Sequence, residues 1–458
     1  MGRKDIYNEK KSGPTPENPA KHHMLPTYWQ SGKLKTKGVN QEGESGRSGF
    51  HPFHFFHVAW HNANNVSKWL NILWPFVPVA IASHWAWKDR HATIFSLCYI
   101  AMIPAANMLG FAGQELARKL PRVLGILVET TLGSVVEIIL FMVLTVRAAN
   151  DYQYVAVLQA AILGSIMTNL LLCLGFCFLV GGMKNKGEQK FHAVISETGS
   201  GILLVAAFAL LIPTAFYSAL QSLTVTEPGN ENARQPSYTI EQLNHDTRGI
   251  SHGTAIILIA AFIIYLIYCA FSAHSVFDEI LAKDEAMDND HHRDLAKKKF
   301  TFTECVIAIT ISIACVALVA VFLVEQIHYI VEERHIPDAF LGFILVPLVE
   351  KMAEHITAID EAYDNQINFA LYHCIGPSIQ TALFNAPLSV IVSWCLGSTM
   401  DLNFEMFMIV ILILSTLVVC NFLRDGSSNW FEGALLIIVY TIIALATWYY
   451  PNPALTSE

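Results

Sequence analysis

The chain has 458 residues, of which 53% are hydrophobic and only 15% are charged, and its mean hydropathy is +0.41. The charges are segregated, and stretches with almost none belong in a bilayer, where a crossing helix needs about 20 apolar residues. A net charge of −9 gives no reason to expect nucleic acid as a partner. The composition therefore excludes a soluble globular protein and indicates a membrane protein whose main partner is the lipid bilayer.

The apolar segments predict about eleven transmembrane helices. Residues 1–50 are polar and rich in Gly, Pro, Ser and Lys, which predicts a disordered cytosolic tail. Residues 51–68 predict an interfacial segment, and the first transmembrane helix is expected over 69–87. Further apolar runs follow at 92–116, 121–146, 152–181, 193–221, 252–273, 303–326, 338–359, 368–396, 404–423 and 430–450.

An acidic cytosolic connector, 274–302, divides these spans into two sets of five. The first repeat comprises 92–221 and 252–273, the second comprises 303–450, and residues 451–458 form a tail. Because five is odd, two equivalent halves run in opposite directions, and such repeats place the substrate site at their interface. Lys and Arg in the connectors place the N-terminus in the cytosol. The predicted fold class is an all-α polytopic membrane protein with two inverted five-helix repeats and one N-terminal helix.

Four histidines precede the first span, namely His51, His54, His57 and His61. The last three share one face of a helix and could bind zinc, but no carboxylate or Cys completes a ligand set. An interfacial amphipathic helix with aromatic anchors explains the same pattern and is the favoured interpretation. The nine cysteines show no zinc-type spacing, so those in apolar runs are predicted to be packing residues.

Both halves carry ionisable residues inside a span, which costs about 2.5–3.5 kcal/mol for each group and therefore indicates function. Glu129 and Glu137 lie in the third span, and Glu350, Lys351 and Glu354 lie in the eighth. Carboxylates with hydroxyl and amide oxygens suit calcium or manganese. Carboxylates also bind protons, so one pair that takes either a cation or protons couples two fluxes. The predicted metal- and proton-binding residues are Glu137, Glu354, Ser134, Ser165, Asn169, Ser378 and Gln380.

These residues lie in motifs that resemble the calcium/proton exchanger (CAX) branch of the calcium:cation antiporter superfamily, and especially its fungal vacuolar members. The motifs include Gly133-Ser134-Val135-Val136-Glu137, Leu163-Gly164-Ser165, Ala353-Glu354-His355-Ile356-Thr357 and Asp425-Gly426-Ser427-Ser428-Asn429. The resemblance implies Glu137 and Glu354 as the paired carboxylates. It also implies a transporter rather than an enzyme, without a resident cofactor, that exchanges Ca²⁺ for protons across a vacuolar membrane.

The chain departs from the family pattern at the site itself. Ser134 and Glu129 replace two Asn residues, and Glu350-Lys351 replaces a Gly-Asn pair. An amide oxygen ligates calcium, whereas an ammonium repels it and only donates hydrogen bonds. Lys351 could pair with Glu354 on its own helix or reach Glu129 across the repeat interface. The residues predicted to tune the charge are Glu129, Glu350, Lys351 and His355.

Two other functions stay open at the level of sequence. In a monovalent cation/proton antiporter, Lys351 would act as a fixed cation in place of part of the divalent charge. A transport-dead paralogue would instead bind and regulate another membrane protein. The transported ion and the oligomeric state do not follow from the sequence.

Overall fold

In the computed structural model, the described residues are 27–30, 33–36, 43, 45–61, 65–87, 89–120, 122–185, 188–222, 239–269, 280, 284 and 297–451. Only residues 280, 284 and 297–302 of the predicted acidic connector are therefore described. Residues 1–26 of the predicted N-terminal tail and 452–458 of the predicted C-terminal tail lie outside the described residues.

The described residues form fourteen helices. In chain order they are α1 (Pro52–Trp60), α2 (Asn65–Asn71), α3 (Phe76–Ala86), α4 (His91–Ala117), α5 (Arg122–Gly133), α6 (Val135–Ala148), α7 (Gln153–Asn185), α8 (Ala193–Gln221), α9 (Ile240–Ile267), α10 (Phe302–Arg334), α11 (338–363), α12 (Ile367–Cys395), α13 (Met406–Leu423) and α14 (Trp430–Trp448). Eight of them, α4, α7, α8, α9, α10, α12, α13 and α14, are long and apolar enough to cross a membrane. The protein is thus a helical membrane protein.

Helices overlap all eleven predicted spans, but the count of eleven crossings stays a prediction. The first predicted span, 69–87, is divided between α2 and α3, because Pro75 lacks the N–H needed to continue a helix. The third predicted span is interrupted at Ser134, between α5 and α6. The eighth predicted span corresponds to α11, which is continuous but carries several charged residues.

Helix α9 begins twelve residues before the predicted start of its span at residue 252. Thr239 and Gln242 form a reciprocal capping box, in which each side chain accepts a hydrogen bond from the other residue's backbone N–H. This cap satisfies the first free amides and stabilises a polar extension of the apolar span. Hydropathy alone therefore placed the start of this helix too late.

Two short strands lie within the segment predicted to be a tail. β1 (Thr27–Gln30) and β2 (Lys33–Thr36) pair antiparallel, with Trp29 opposite Leu34. Aromatic and β-branched residues in this segment favour strands over disorder, which the overall polar composition concealed. Two residue pairs form a second short ladder, between β3 (Gln189–Lys190) and β4 (Ser427–Ser428).

The histidine segment packs onto the start of α10. His54 Nδ1 lies 3.0 Å from Glu304 Oε2, while the rings of His57 and His61 stack with centroids 4.4 Å apart. Glu304 supplies a carboxylate that lies far away in the sequence, yet no three-ligand metal group forms here among the described residues. Phe53, which is 95% exposed, suits the predicted interfacial position, which stays a prediction.

One described residue of the acidic connector is buried against the second repeat. Asp284 is buried and accepts hydrogen bonds from the backbone N–H of Asn368 at 2.8 Å and of Phe369 at 3.3 Å. These are free amides of the first turn of α12, where the helix dipole favours a negative charge. Burial raises the pKa of Asp284 despite these bonds. The connector therefore docks on the second repeat at this point.

Close contacts between α7 and α11 hold the two predicted repeats together at the centre of the molecule. A Cβ added at Gly164 would lie 2.2 Å from the carbonyl oxygen of Phe343, and one at Gly342 would lie 2.6 Å from that of Val157. A larger residue at either glycine would prevent this close approach of the two helix backbones. Each of these helices, and α12, also contains one π-helical segment, namely Thr168–Cys173, Leu341–Leu345 and Thr381–Asn385. Such segments are frequent at functional sites.

Candidate functional site

The side chain of Lys351 lies between two carboxylates that come from different halves of the chain. Its Nζ is 2.7 Å from Glu137 Oε2 and 3.4 Å from Glu354 Oε2. Lys351 and Glu137 are each only 1% exposed, whereas Glu354 is 15% exposed. The hydroxyl of Thr381 donates a 2.6 Å hydrogen bond to the other oxygen of Glu137. A buried ammonium thus partly neutralises two acids that each cost free energy in the membrane.

Local structure explains how these groups meet. Glu137 lies in the first turn of α6, directly after the interruption at Ser134, and Lys351 and Glu354 are one helical turn apart on α11. Gly133 leaves room for the acid from the other half, since a Cβ there would lie 3.0 Å from Glu354 Oε1. The site therefore depends on a helix break, an i,i+3 spacing and a missing side chain.

Of the two pairings considered for Lys351, the one with Glu354 is found, and the one with Glu129 is not. Glu129 faces His373 instead, with 3.7 Å between Oε1 and Nε2. The main partner of Lys351 is Glu137, which neither alternative included. The side chain reaches it because α6 and α11 pack against each other, a relation that the sequence does not contain.

The predicted neutral ligands surround this centre with different partners. Asn169 Oδ1 lies 2.9 Å from Nε2 of the buried His355, and Ser165 lies beside Glu350. Ser378 Oγ donates to the carbonyl of Cys374 at 2.9 Å, so its proton is used within α12. Gln380 Oε1 is a buried oxygen with no hydrogen-bond partner in the described part of the chain, and Ser134 is buried at the helix break.

Sequence reasoning missed several residues that the structure brings close to the site. His373 lies inside the predicted span 368–396 and should have been noticed by the rule used for the glutamates. Glu361, its partner at 2.7 Å, lies two residues beyond the predicted end of its span. The contact of Thr381 with Glu137 could not be predicted from the sequence, because a hydroxyl side chain in a transmembrane helix usually bonds only to the backbone of its own helix.

Three cysteines also come together, although the sequence predicted packing roles for the two that lie in α7. Cys374 Sγ is 3.4 Å from Cys173 Sγ and 3.9 Å from Cys177 Sγ, and all three are buried. They are the only group of three potential metal-ligating side chains found among the described residues.

An apolar helical bundle in which one carboxylate from each half contacts a buried ammonium defines an ion-translocating membrane protein. Residues 91–271 and 305–449 match the sodium/calcium exchanger protein family, and the chain belongs to that family. The vacuolar calcium ion transporter of Schizosaccharomyces pombe is 31% identical over 388 residues, which cover 84% of this chain and 86% of that protein. The vacuolar cation/proton exchanger 5 of Arabidopsis thaliana is 31% identical over 395 residues, which cover 85% and 82%.

Solved structures show the same fold. The structure of native YfkE superimposes with a TM-score of 0.64 at 26% identity and covers 83% of this chain and 100% of that one. The H⁺/Ca²⁺ exchanger CAX gives a TM-score of 0.58 at 13% identity, with 85% and 90% covered. The family resemblance of the motifs is thus confirmed.

Proposed function

We propose that this chain is a secondary transporter that exchanges a cation, with Ca²⁺ as the first candidate, for protons across a vacuolar membrane. The observation that carries the proposal is that Glu137 and Glu354, one from each half, both contact the buried ammonium of Lys351. Of the two relatives cited above, one is named a vacuolar calcium ion transporter and the other a vacuolar cation/proton exchanger.

The two carboxylates couple the fluxes because they bind either protons or a cation. When both are ionised, their oxygens and neighbouring neutral oxygens form a site for a hard cation. When both are protonated, the site holds no net negative charge and releases that cation. An ion and protons thus cross in opposite directions without a resident cofactor.

Lys351 adds a positive charge to the site, and the transported ion must displace it. Its ammonium occupies the space between both acids, so an incoming ion gains their oxygens only after Lys351 has moved away. Glu350, buried one residue before it, offers a carboxylate that can accept the ammonium once it moves. We therefore assign a charge-tuning role to Lys351 and Glu350, and propose that they weaken divalent binding.

The same ammonium favours a second candidate function, exchange of a monovalent cation for protons. Two acids with one fixed positive charge leave one net negative charge, which matches an ion such as Na⁺ or K⁺ better than Ca²⁺. This candidate places the same residues at the site and differs only in the ion that they accept.

Uptake into sealed proteoliposomes with an imposed pH gradient tests these functions. Calcium uptake supports the first candidate, and uptake of only sodium or potassium supports the second. If the protein reconstitutes intact but moves none of these ions, the result indicates a regulatory paralogue that does not transport. The matched control is Glu197→Gln, which removes an exposed carboxylate of α8 and should leave uptake unchanged.

A further inference from the structure

A second cluster of ionisable side chains lies near the central site, where α5, α11 and α12 meet. His373 on α12 uses both ring nitrogens: Nδ1 lies 2.7 Å from Glu361 Oε2 and Nε2 lies 3.7 Å from Glu129 Oε1. We infer that Glu361, His373 and Glu129 form a path that carries protons between the membrane surface and Glu354. This inference rests on the proposed exchange of a cation for protons.

The position of the cluster points to a path rather than an isolated ion pair. Glu361 lies two residues before Tyr363, whose hydroxyl contacts Lys184 Nζ at 2.7 Å, in the region predicted to face the cytosol. At the other end, Glu129 is one helical turn before Gly133, the residue against which Glu354 Oε1 rests. The cluster thus lies between the predicted cytosolic surface and the carboxylate that we propose binds the ion.

The side chains along this line are partly exposed, whereas those beyond Glu354 are buried. The side chain of Glu129 is 33% exposed, His373 and Glu361 are 15% and 17% exposed, and Glu354 is 15% exposed. Beyond Glu354, Glu137 and Lys351 are only 1% exposed. A charged group in a lipid-facing position would be costly, so this exposure indicates contact with water from the predicted cytosolic side.

The chemistry of imidazole suits this position. When the central site takes a cation, a proton leaves the carboxyl of Glu354 and passes to Glu129. Nε2 of His373 then accepts it, while the proton on Nδ1 passes to Glu361 and from there to water, so no charge is left behind. The gap of 3.7 Å at Nε2 is bridged by a small side-chain movement or by one water molecule. A neutral imidazole has one donor and one acceptor nitrogen, so it can pass a proton in either direction.

Neighbouring charged side chains influence how a proton moves along this path. Glu361 also faces Asp360 on its own helix, and Glu354 faces the ammonium of Lys351 as well as His373. The path therefore consists of acids around one imidazole, with the ammonium of Lys351 at its inner end. A proton that has reached Glu129 is repelled by Lys351 and drawn outward by the outer acids.

Two transport modes separate a proton path from a structural clamp. Net calcium uptake driven by a pH gradient needs proton transfer, whereas exchange of labelled for unlabelled calcium without a gradient needs none. His373→Gln keeps hydrogen bonding but cannot carry a proton, and Glu361→Gln removes the outer acid. Each is expected to slow gradient-driven uptake by about a hundredfold or more, since a positioned general acid or base typically contributes about 10²–10⁴-fold. Calcium–calcium exchange should stay close to the wild-type rate.

The control variant is His192→Asn, which keeps the side-chain cap at the start of α8 and lies outside the path. Equal loss of both modes in His373→Gln and Glu361→Gln would overturn the path and indicate a clamp between helices. Unchanged gradient-driven uptake in both variants would overturn it as well. A wild-type protein that moves calcium in neither mode would overturn the proposed calcium exchange first, and the path with it.

Discussion

Replacement of Lys351 by Asn should raise the affinity of the site for Ca²⁺. The variant removes the ammonium that lies 2.7 Å from Glu137 and 3.4 Å from Glu354, and it supplies an amide oxygen in its place. Both acids then become available to the ion.

The magnitude follows from the distances. At an effective dielectric near 20, a unit charge attracts another by about 6 kcal/mol at 2.7 Å and about 5 kcal/mol at 3.4 Å. A divalent ion held about 4 Å from the ammonium would be repelled by about 8 kcal/mol on the same basis. Solvation offsets most of these terms. A fifth of the repulsion, about 1.6 kcal/mol, already corresponds to more than a tenfold change in Kd.

The assay is initial calcium uptake against calcium concentration in proteoliposomes, together with direct calcium titration of the purified protein. Lys351→Met removes the charge without adding an oxygen and should strengthen binding less than Lys351→Asn. Lys351→Arg keeps a positive charge and should bring no gain. Because loss of one partner from a buried pair costs about 3–5 kcal/mol, thermal unfolding of each variant must be measured alongside.

Folded Lys351→Asn and Lys351→Met variants with wild-type calcium affinity would refute the reasoning, because the ammonium would then not limit the ion.

Further outcomes follow from the same geometry. Glu137→Gln and Glu354→Gln should each abolish gradient-driven cation uptake at normal expression, and full uptake in either would remove that acid from the mechanism. Gly164→Ala should lower the unfolding temperature strongly, because the added Cβ would lie 2.2 Å from the Phe343 carbonyl oxygen. Gly376→Ala should not, because beyond its own helix no atom of the described residues lies within 4 Å of the added Cβ, and equal unfolding temperatures would contradict the packing. Protease digestion of sealed vesicles should cleave an N-terminal tag on the cytosolic face and protect a C-terminal one; equal accessibility would change the span count by one.

The sequence by itself determined the class of the protein and the residues at its centre. Long apolar runs have only one stable environment, so the helical membrane fold followed from composition. Intramembrane charge is rare because it is costly, so Glu137, Glu354 and Lys351 were conspicuous in a single sequence. Family membership followed from the motifs around them and is confirmed by the comparisons.

Only the tertiary structure decided which of these charges meet. Lys351 has a long, flexible side chain that can reach several acids, and the packing of α6 against α11 gives it Glu137 as well as Glu354. The packing of α5 against α12 brings Glu129 to His373, although the two residues are more than two hundred positions apart. Hydropathy and periodicity describe one helix at a time, whereas ion pairs between helices depend on how helices from both halves pack around shared glycines.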